Sequence, residues 1–158
     1  MTPKSLLRHP RAVSSIEDLA EGCFEKVLKD TREEPAKTSR ILLCSGKVYY
    51  DLAQKREESG RDDVAILRVE QLYPNPMEEL EKALAPYADE TPLVWVQEEP
   101  LNMGAWPHLL LRMGTRLFGR FTMECISRPE SASPATGSNA SHKFEQELLL
   151  NQALELKG

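Results

Sequence analysis

The middle of the chain reads Pro92-Leu-Val-Trp-Val-Gln-Glu-Glu-Pro-Leu-Asn-Met-Gly-Ala-Trp106. Its apolar run Leu93–Val96 has the length and β-branched content of a buried strand. The chain then becomes polar at Gln97-Glu98-Glu99, a proline interrupts it, and a helical pattern begins at Gly104. Because sites in open α/β sheets are usually built on loops that leave the carboxyl ends of strands, this segment is a candidate site. The alternative is a connecting loop with two solvated glutamates.

Three more segments have the character of strands, and helical patterns alternate with them. The predicted strands are Ile41–Cys44, Val64–Val69 and Phe121–Ile126, in addition to Leu93–Val96. The predicted helices begin near Val48, at Pro76 with Asn75 as N-cap, after Gly104 and near His142, and the last one ends near Leu156. This alternation predicts an α/β fold in three layers, α/β/α, with a mostly parallel sheet between helices.

The first part of the chain has a different character. Its first segment is basic and contains prolines, so we expect an extended arm. Ser14 followed by Glu17 matches a capping box that would begin a helix. Gly22 interrupts the apolar stripe of that helix, so the residues after it are predicted to be either helical or extended. We therefore divide the chain into an arm with a linking helix, residues 1–39, and an α/β domain, residues 40–158.

Composition excludes several classes of protein. With 158 residues, 28% of them charged and 41% hydrophobic, the chain has the composition of a globular domain. A formal net charge of −5 argues against nucleic acid as the main partner, since phosphate binding needs a cationic face. No apolar run approaches the roughly 18 residues of a membrane span. Cys23, Cys44 and Cys125 lack metal-ligand spacing and lie in apolar contexts, so we expect inert, buried thiols.

Two further segments carry candidate binding chemistry. The turn Cys44-Ser-Gly-Lys47 joins a strand to a helix, a setting in which backbone N–H groups and Lys47 could bind an anion. It matches no phosphate-binding motif, so a simple tight turn is the alternative. The loop after the last strand contains Arg128, Ser131 and Ser133, and His142 follows it. These side chains could bind a carboxylate, a phosphate or a partner chain, unless the loop is only a polar surface.

Five motifs, taken in order, make the chain resemble one known family. They are Thr2-Pro-Lys-Ser-Leu-Leu-Arg-His-Pro10, Cys44-Ser-Gly-Lys-Val-Tyr-Tyr-Asp51, Arg68-Val-Glu-Gln-Leu-Tyr-Pro74, Gln97-Glu-Glu-Pro-Leu-Asn-Met-Gly-Ala-Trp106 and Arg128-Pro-Glu-Ser-Ala-Ser-Pro-Ala-Thr-Gly137. Together they resemble the C-terminal domain of the thiamine-diphosphate-dependent, decarboxylating component of 2-oxoglutarate dehydrogenase. The match extends over nearly the whole chain, and five motifs in one order make it specific.

The resemblance implies a fold like the C-terminal domain of transketolases and a parent oxidoreductase of the citric acid cycle. That parent oxidatively decarboxylates 2-oxoglutarate and transfers the succinyl group to a lipoyl-bearing partner. It binds thiamine diphosphate and magnesium through a Gly-Asp-Gly motif that is absent from this chain. The resemblance therefore implies an excised domain, or a separately encoded remnant, that binds neither cofactor and is inactive alone.

The family position also implies partners and site residues. Glu98, Glu99, Asn102 and Gly104 would lie at the active-site rim or at the interface with a neighbouring domain. A second set would contact other parts of the dimer or an anion: Arg8, His9, Arg128, Ser131, Ser133 and His142. The partners would be the remaining domains of the parent, a second subunit and the dihydrolipoyl succinyltransferase complex, with neither nucleic acid nor membrane involved.

The compartment would be the bacterial cytoplasm or the mitochondrial matrix, and no catalytic or metal-binding residue is expected in this chain. Two alternatives share the fold. One is a stand-alone regulatory module that binds a nucleotide or an acyl-CoA, and the other is a purely structural dimerisation domain.

Overall fold

The computed structural model describes residues 4–32 and 34–155. The strands of this part are β1 (Val27–Leu28), β2 (Arg40–Cys44), β3 (Val64–Val69), β4 (Leu93–Pro100), β5 (Arg116–Leu117) and β6 (Phe121–Arg128). The α-helices are α1 (Ile16–Glu21), α2 (Val48–Ser59), α3 (Met77–Leu84), α4 (Trp106–Met113) and α5 (Asn139–Ala153), and Lys4–Arg8 and Pro35–Lys37 form 3-10 helices. Among these described residues, no helix is both long and apolar enough to cross a membrane.

The strands form one sheet in the order β1-β3-β2-β4-β6-β5. The four central strands, β3, β2, β4 and β6, run parallel to one another. The short outer strands β1 and β5 pair antiparallel with β3 and β6. The α/β fold with a mostly parallel sheet, predicted from the alternation of strand and helix patterns, is confirmed.

The two faces of the sheet carry separate hydrophobic clusters. Ile41 and Leu43 of β2 pack on one face with residues of α3 and α4. Leu42, between them in sequence, packs on the other face with residues of α2 and α5. Successive side chains of a strand point to opposite faces, so a continuous apolar strand needs a helical layer on each side. This packing produces the three predicted layers.

Strand ends differ from the predicted boundaries. The polar residues Gln97-Glu98-Glu99, predicted as a loop, belong to β4, which continues to Pro100. Pro100 pairs with Arg128 after an irregularity in register, and β6 also extends two residues beyond its predicted end at Ile126. Both strands extend beyond their predicted ends because β4 and β6 pair with each other there, so that polar residues become part of the sheet.

Helix starts also differ. The N-cap position of α3 is occupied by Pro76, not by Asn75, whose side chain instead bonds His108. The last helix begins at Asn139, with Ser138 as N-cap, and not near His142. Its predicted end at Leu156 lies outside the described residues.

The segment before β2 is more structured than predicted. Lys4–Arg8 forms a 3-10 helix where we expect an extended arm. Ser15 with Asp18, and not Ser14 with Glu17, forms the capping box of α1. This helix ends before Gly22, where the backbone becomes extended, and a side chain at that position would lie 2.2 Å from the carbonyl oxygen of Asp18. After Gly22 the chain is extended, which was one of the two predicted alternatives, and β1 joins the sheet. The boundary at residue 39 stays a prediction.

A buried ion pair ties this early segment to the sheet. Arg56 of α2 and Asp30 have side chains that are only 4% and 3% exposed. Arg56 Nη2 donates to Asp30 Oδ1 at 3.2 Å, and Arg56 Nη1 donates to the carbonyl oxygen of Val64 at 2.9 Å. Asp30 Oδ2 also accepts from the backbone N–H of Ile66 at 2.6 Å. The pair therefore joins α2, β3 and the residues after β1.

The three cysteines differ in their surroundings, contrary to the prediction that all are buried. Cys44 is buried, and burial raises the pKa of its thiol to about 12. Cys125 is partly buried, and burial raises the pKa of its thiol to about 11. Cys23 is exposed, because the helix predicted to bury it ends before Gly22.

We expect these thiols to react with iodoacetamide in the order Cys23, Cys125, Cys44. The thiolate is the reactive form, so a raised pKa and burial both slow alkylation. At pH about 8, Cys23 should be alkylated at least tenfold faster than Cys44 in the folded protein, with similar rates in urea. Peptide mass spectrometry at timed intervals measures the three rates. Equal rates for Cys23 and Cys44 in the native protein would contradict the packing described here.

Candidate functional site

A pocket of about 820 Å³ lies where β2 and β4 end. These two strands are neighbours, yet the chain leaves β2 for β3 on one side and returns to place β4 on the other. Such a reversal of strand order leaves a crevice outside the carboxyl ends of the strands, where α/β proteins usually bind ligands. The pocket is lined by Ser45, Gly46, Lys47, Val48, Leu72, Tyr73, Trp95, Val96, Gln97, Glu98, Glu99, Gly104, Ala105 and His108.

Gln97 organises the wall of this pocket that β4 and the following loop provide. Its Oε1 accepts hydrogen bonds from Trp95 Nε1 and from the backbone N–H of Trp106, both at 2.9 Å. Its Nε2 donates to the carbonyl oxygens of Pro100 at 3.1 Å and Met103 at 2.8 Å. A single buried amide therefore closes the loop between β4 and α4 on itself.

Gly104 allows this closure. Its φ of +68° lies in the left-handed region, which side chains rarely adopt. A Cβ at this position would lie 3.0 Å from both amide atoms of Gln97 and from Cβ of Glu99. The glycine predicted at the site is thus needed for the close approach of the loop to Gln97.

Glu98 is engaged in an ion pair. Its Oε1 lies 2.8 Å from Lys47 Nζ, and Lys47 also donates to Asp51 Oδ2 at 2.9 Å. Burial lowers the pKa of Lys47, but hydrogen bonds to Glu98 and Asp51 outweigh it and raise that pKa above its ordinary 10.5. Lys47 is therefore positively charged at neutral pH, and two carboxylates neutralise it. This pairing disfavours the predicted contact between Lys47 and a bound anion.

Glu99 has a different environment from its neighbour. It is exposed, and no ion pair with another described residue forms at its carboxylate. In a strand, adjacent side chains point in opposite directions, so Glu98 and Glu99 do not converge on one point. Both residues line the pocket, but their carboxylates do not form a close pair.

The second predicted loop begins at a buried arginine. Arg128, at the end of β6, donates through Nη2 to His142 Nδ1 at 2.9 Å and to Gln146 Oε1 at 3.3 Å. A guanidinium only donates, so His142 Nδ1 is the acceptor and carries no proton. Gln146 Nε2 in turn donates to Asp51 Oδ2 at 2.8 Å. A continuous chain of polar contacts thus runs from Arg128 to the Lys47–Glu98 pair.

The two predicted loops also touch directly. Asn102 Nδ2 donates to the carbonyl oxygen of Ser131 at 3.0 Å, and Asn102 Oδ1 accepts from the N–H of Ser131 at 3.1 Å. The N–H of Ser133 donates to Ser131 Oγ at 3.1 Å. The structure therefore brings together the predicted residues on the loops after β4 and β6, although their functional role stays a prediction.

Arg8 and His9 are placed elsewhere. Arg8 is exposed at the end of its 3-10 helix. The His9 ring packs on Tyr50 of α2 with 4.9 Å between ring centroids. Neighbouring Arg11 donates to Glu57 of the same helix at 2.8 Å. The arm thus lies along α2, and the predicted contact of Arg8 and His9 with a neighbouring domain stays a prediction.

Some pocket residues were not predicted as part of a site. His108 lines the pocket and lies 3.0 Å through Nε2 from Asn75 Oδ1. Asp51 and Gln146, which link Arg128 to the Lys47–Glu98 pair, were not predicted as site residues either. Gln97 could have been identified from the sequence, because a polar amide directly after four apolar strand residues predicts a buried hydrogen-bonded group.

Comparison with known proteins agrees with the resemblance. The sequence model of the family described as "2-oxoglutarate dehydrogenase C-terminal" matches residues 13–154. A relative named 2-oxoglutarate dehydrogenase E1 component from Azotobacter vinelandii is 48% identical over 97% of this chain and 17% of its own length. The protein of the same name from Cupriavidus necator is 44% identical over 100% of this chain and 17% of its own length.

A longer relative from Mycobacterium sp. (strain JLS) is named multifunctional 2-oxoglutarate metabolism enzyme. It is 43% identical over 96% of this chain, which spans 12% of that relative. The chain thus spans less than a fifth of these relatives, and the matched part covers nearly all of it. The chain belongs to the family of 2-oxoglutarate dehydrogenase C-terminal domains.

Proposed function

We propose that this chain acts as the C-terminal domain of a 2-oxoglutarate dehydrogenase E1 component and supports domain and dimer packing without catalysing alone. In this proposal, the longer remainder of the enzyme carries the chemistry. It binds thiamine diphosphate and magnesium, decarboxylates 2-oxoglutarate oxidatively and passes the succinyl group to the lipoyl-bearing succinyltransferase. The setting is the bacterial cytoplasm or the mitochondrial matrix. The proposal is supported by relatives of this name that match the chain over 17% of their length.

A packing role is supported by an exposed apolar surface on the segment that precedes β1. Ile16 and Leu19 of α1 are 79% and 78% exposed. The helix has six residues and buries none of them within the described chain. Helices this short are marginal unless an apolar face packs on something. Large exposed apolar side chains of this segment are Leu7, Val13, Ile16, Leu19 and Phe24. A surface of this kind is typical of an interface.

The pocket does not fit thiamine diphosphate. A diphosphate carries several negative charges that need cationic partners, whereas Lys47 is already held by Glu98 and Asp51. Glu99 adds a further negative charge to the lining. In residues 4–32 and 34–155, no group of three or more His, Cys, Asp or Glu side chains could hold a metal ion. We therefore assign no catalytic step to this chain, and the proposal places both cofactors on the remainder of the enzyme.

A chimaeric enzyme tests the proposal. This chain replaces the matching domain of the Azotobacter vinelandii relative, to which it is 48% identical. We expect the chimaera to decarboxylate 2-oxoglutarate with ferricyanide as electron acceptor, while the isolated chain shows no activity. In the chimaera, Ile16→Ser with Leu19→Ser should lower the yield of active dimer about tenfold or more, because two buried apolar contacts are lost.

The matched control is Glu21→Ser, an exposed polar position on the same helix, which should leave dimer yield unchanged. Two results count against the proposal: activity in the isolated chain, or a chimaera whose dimer yield does not change when Ile16 and Leu19 are replaced.

Calorimetry of the isolated chain with AMP and with acetyl-CoA tests the regulatory alternative. Saturable binding of either compound would favour that alternative.

A further inference from the structure

The pocket between β2 and β4 combines an apolar floor with a negative rim. Its floor includes the buried side chains of Trp95 and Val48 and the half-buried Leu72. Its volume of about 820 Å³ lies in the range that holds a ligand of several connected groups. A lone ammonium or water-sized ion would leave most of this floor uncovered.

The charges of the lining favour a cationic ligand. The ionisable residues that line the pocket are Lys47, Glu98, Glu99, Tyr73 and His108. The positive charge of Lys47 is neutralised by Glu98 and by Asp51 behind it. Glu99 has no ion-pair partner among the described residues, so the lining carries an excess of negative charge. A phosphate or a carboxylate would be repelled at this rim.

A largely exposed aromatic ring lies at the same opening. Tyr73 is 76% exposed, an unusual state for a large aromatic residue at the edge of an apolar pocket. Its ring makes an edge contact with the His108 ring, at 6.1 Å between centroids. An exposed aromatic face attracts guanidinium groups, which also pair with carboxylates. The same chemistry already occurs nearby, where Arg68 lies over the Tyr49 ring at 4.3 Å.

We propose that this pocket binds a polypeptide segment that presents an arginine beside an apolar residue. The guanidinium pairs with Glu99 and lies against Tyr73, and the apolar side chain covers Leu72 and the Trp95 floor. An arginine peptide meets all three features, because it offers a planar cation and apolar length in one ligand.

The test is a titration of the ¹⁵N-labelled chain, followed by amide chemical shifts, with the peptide acetyl-Leu-Arg-Leu-amide. The control peptide contains citrulline, which keeps the shape of arginine and removes its charge. We expect saturable shifts at Gly46, Glu99 and Gly104 with the arginine peptide and binding about five- to tenfold weaker with the citrulline peptide.

Two variants test whether Glu99 binds the arginine of the peptide. Glu99→Gln should weaken binding of the arginine peptide about three- to fivefold, because it removes one exposed carboxylate. Glu81→Gln, an exposed carboxylate on α3 away from the pocket, should change nothing. Overlaid amide spectra of the free variants show whether each one remains folded.

Four outcomes overturn the proposal. The first is the absence of saturable shifts up to about 5 mM peptide, a concentration that detects even millimolar affinity. The second is equal binding of the arginine and citrulline peptides, and the third is a set of shifts away from the pocket. Stronger binding of inorganic phosphate than of the arginine peptide at these amides also contradicts it.

Discussion

Replacing Asp30 by alanine is expected to lower the free energy of unfolding by about 3–5 kcal/mol, as measured by urea denaturation followed by circular dichroism. The change leaves the buried Arg56 guanidinium without its carboxylate and the N–H of Ile66 without an acceptor. Both groups are shielded from water, so solvent cannot replace the lost partner. A loss of this size is a large share of the 5–15 kcal/mol typical of a domain.

Two comparisons make this prediction specific. Asp62→Ala removes an exposed carboxylate that pairs with Arg32, and its effect should be much smaller because solvent screens that pair. The double variant Asp30→Ala with Arg56→Met should be more stable than Asp30→Ala alone, since it also removes the buried guanidinium that has lost its carboxylate partner. If Asp30→Ala is no more harmful than Asp62→Ala, the ion pair does not stabilise the junction as described.

Replacing Gln97 by leucine is expected to lower the free energy of unfolding by about 2–4 kcal/mol. Leucine has a similar volume, so the effect comes from hydrogen bonds and not from a cavity. Trp95 Nε1 loses its acceptor, and the carbonyl oxygens of Pro100 and Met103 lose their donor. Urea denaturation of the purified variant measures the loss, and amide hydrogen exchange of residues 98–105 should increase.

A control substitution on the surface shows whether the removal of any glutamine amide lowers the free energy of unfolding, or only the removal of this buried one. Gln54→Leu removes an exposed amide of α2 that bonds only Glu58 in the same helix, so stability should change little. Gln97→Glu retains an acceptor for Trp95 but removes the donors to both carbonyl oxygens. Its stability should lie below that of the parent protein, and a stable Gln97→Leu variant would show that the loop does not depend on this amide.

The existence of the four central strands follows from the sequence, whereas their ends do not, and the short outer strands β1 and β5 were not predicted. A run such as Ile41–Cys44 is apolar at every position, which is typical of a strand buried on both faces. Gln97, Glu98 and Glu99 are polar, so local pattern assigns them to a loop. Their place in β4 depends on pairing with β6, a contact between residues about thirty positions apart.

The candidate site was predictable as residue types on two loops, but not as an arrangement. Loop position and polar composition indicated Asn102 and Ser131, which the structure joins by two hydrogen bonds. Glu98 pairs with Lys47 just before α2, and Arg128 bonds His142 and Gln146 of α5, pairings that the sequence did not indicate. Long-range contacts of this kind depend on how helices pack on the sheet, and a helical pattern alone does not specify that.

The arrangement around Gln97 gives the protein an optical probe. The chain contains two tryptophans, and Trp95 Nε1 and the Trp106 backbone N–H donate to the same oxygen of Gln97. Emission excited at indole wavelengths therefore originates beside one pocket and not from the molecule at large. Intrinsic fluorescence of this protein is a local reporter of the loop between β4 and α4, available without any label.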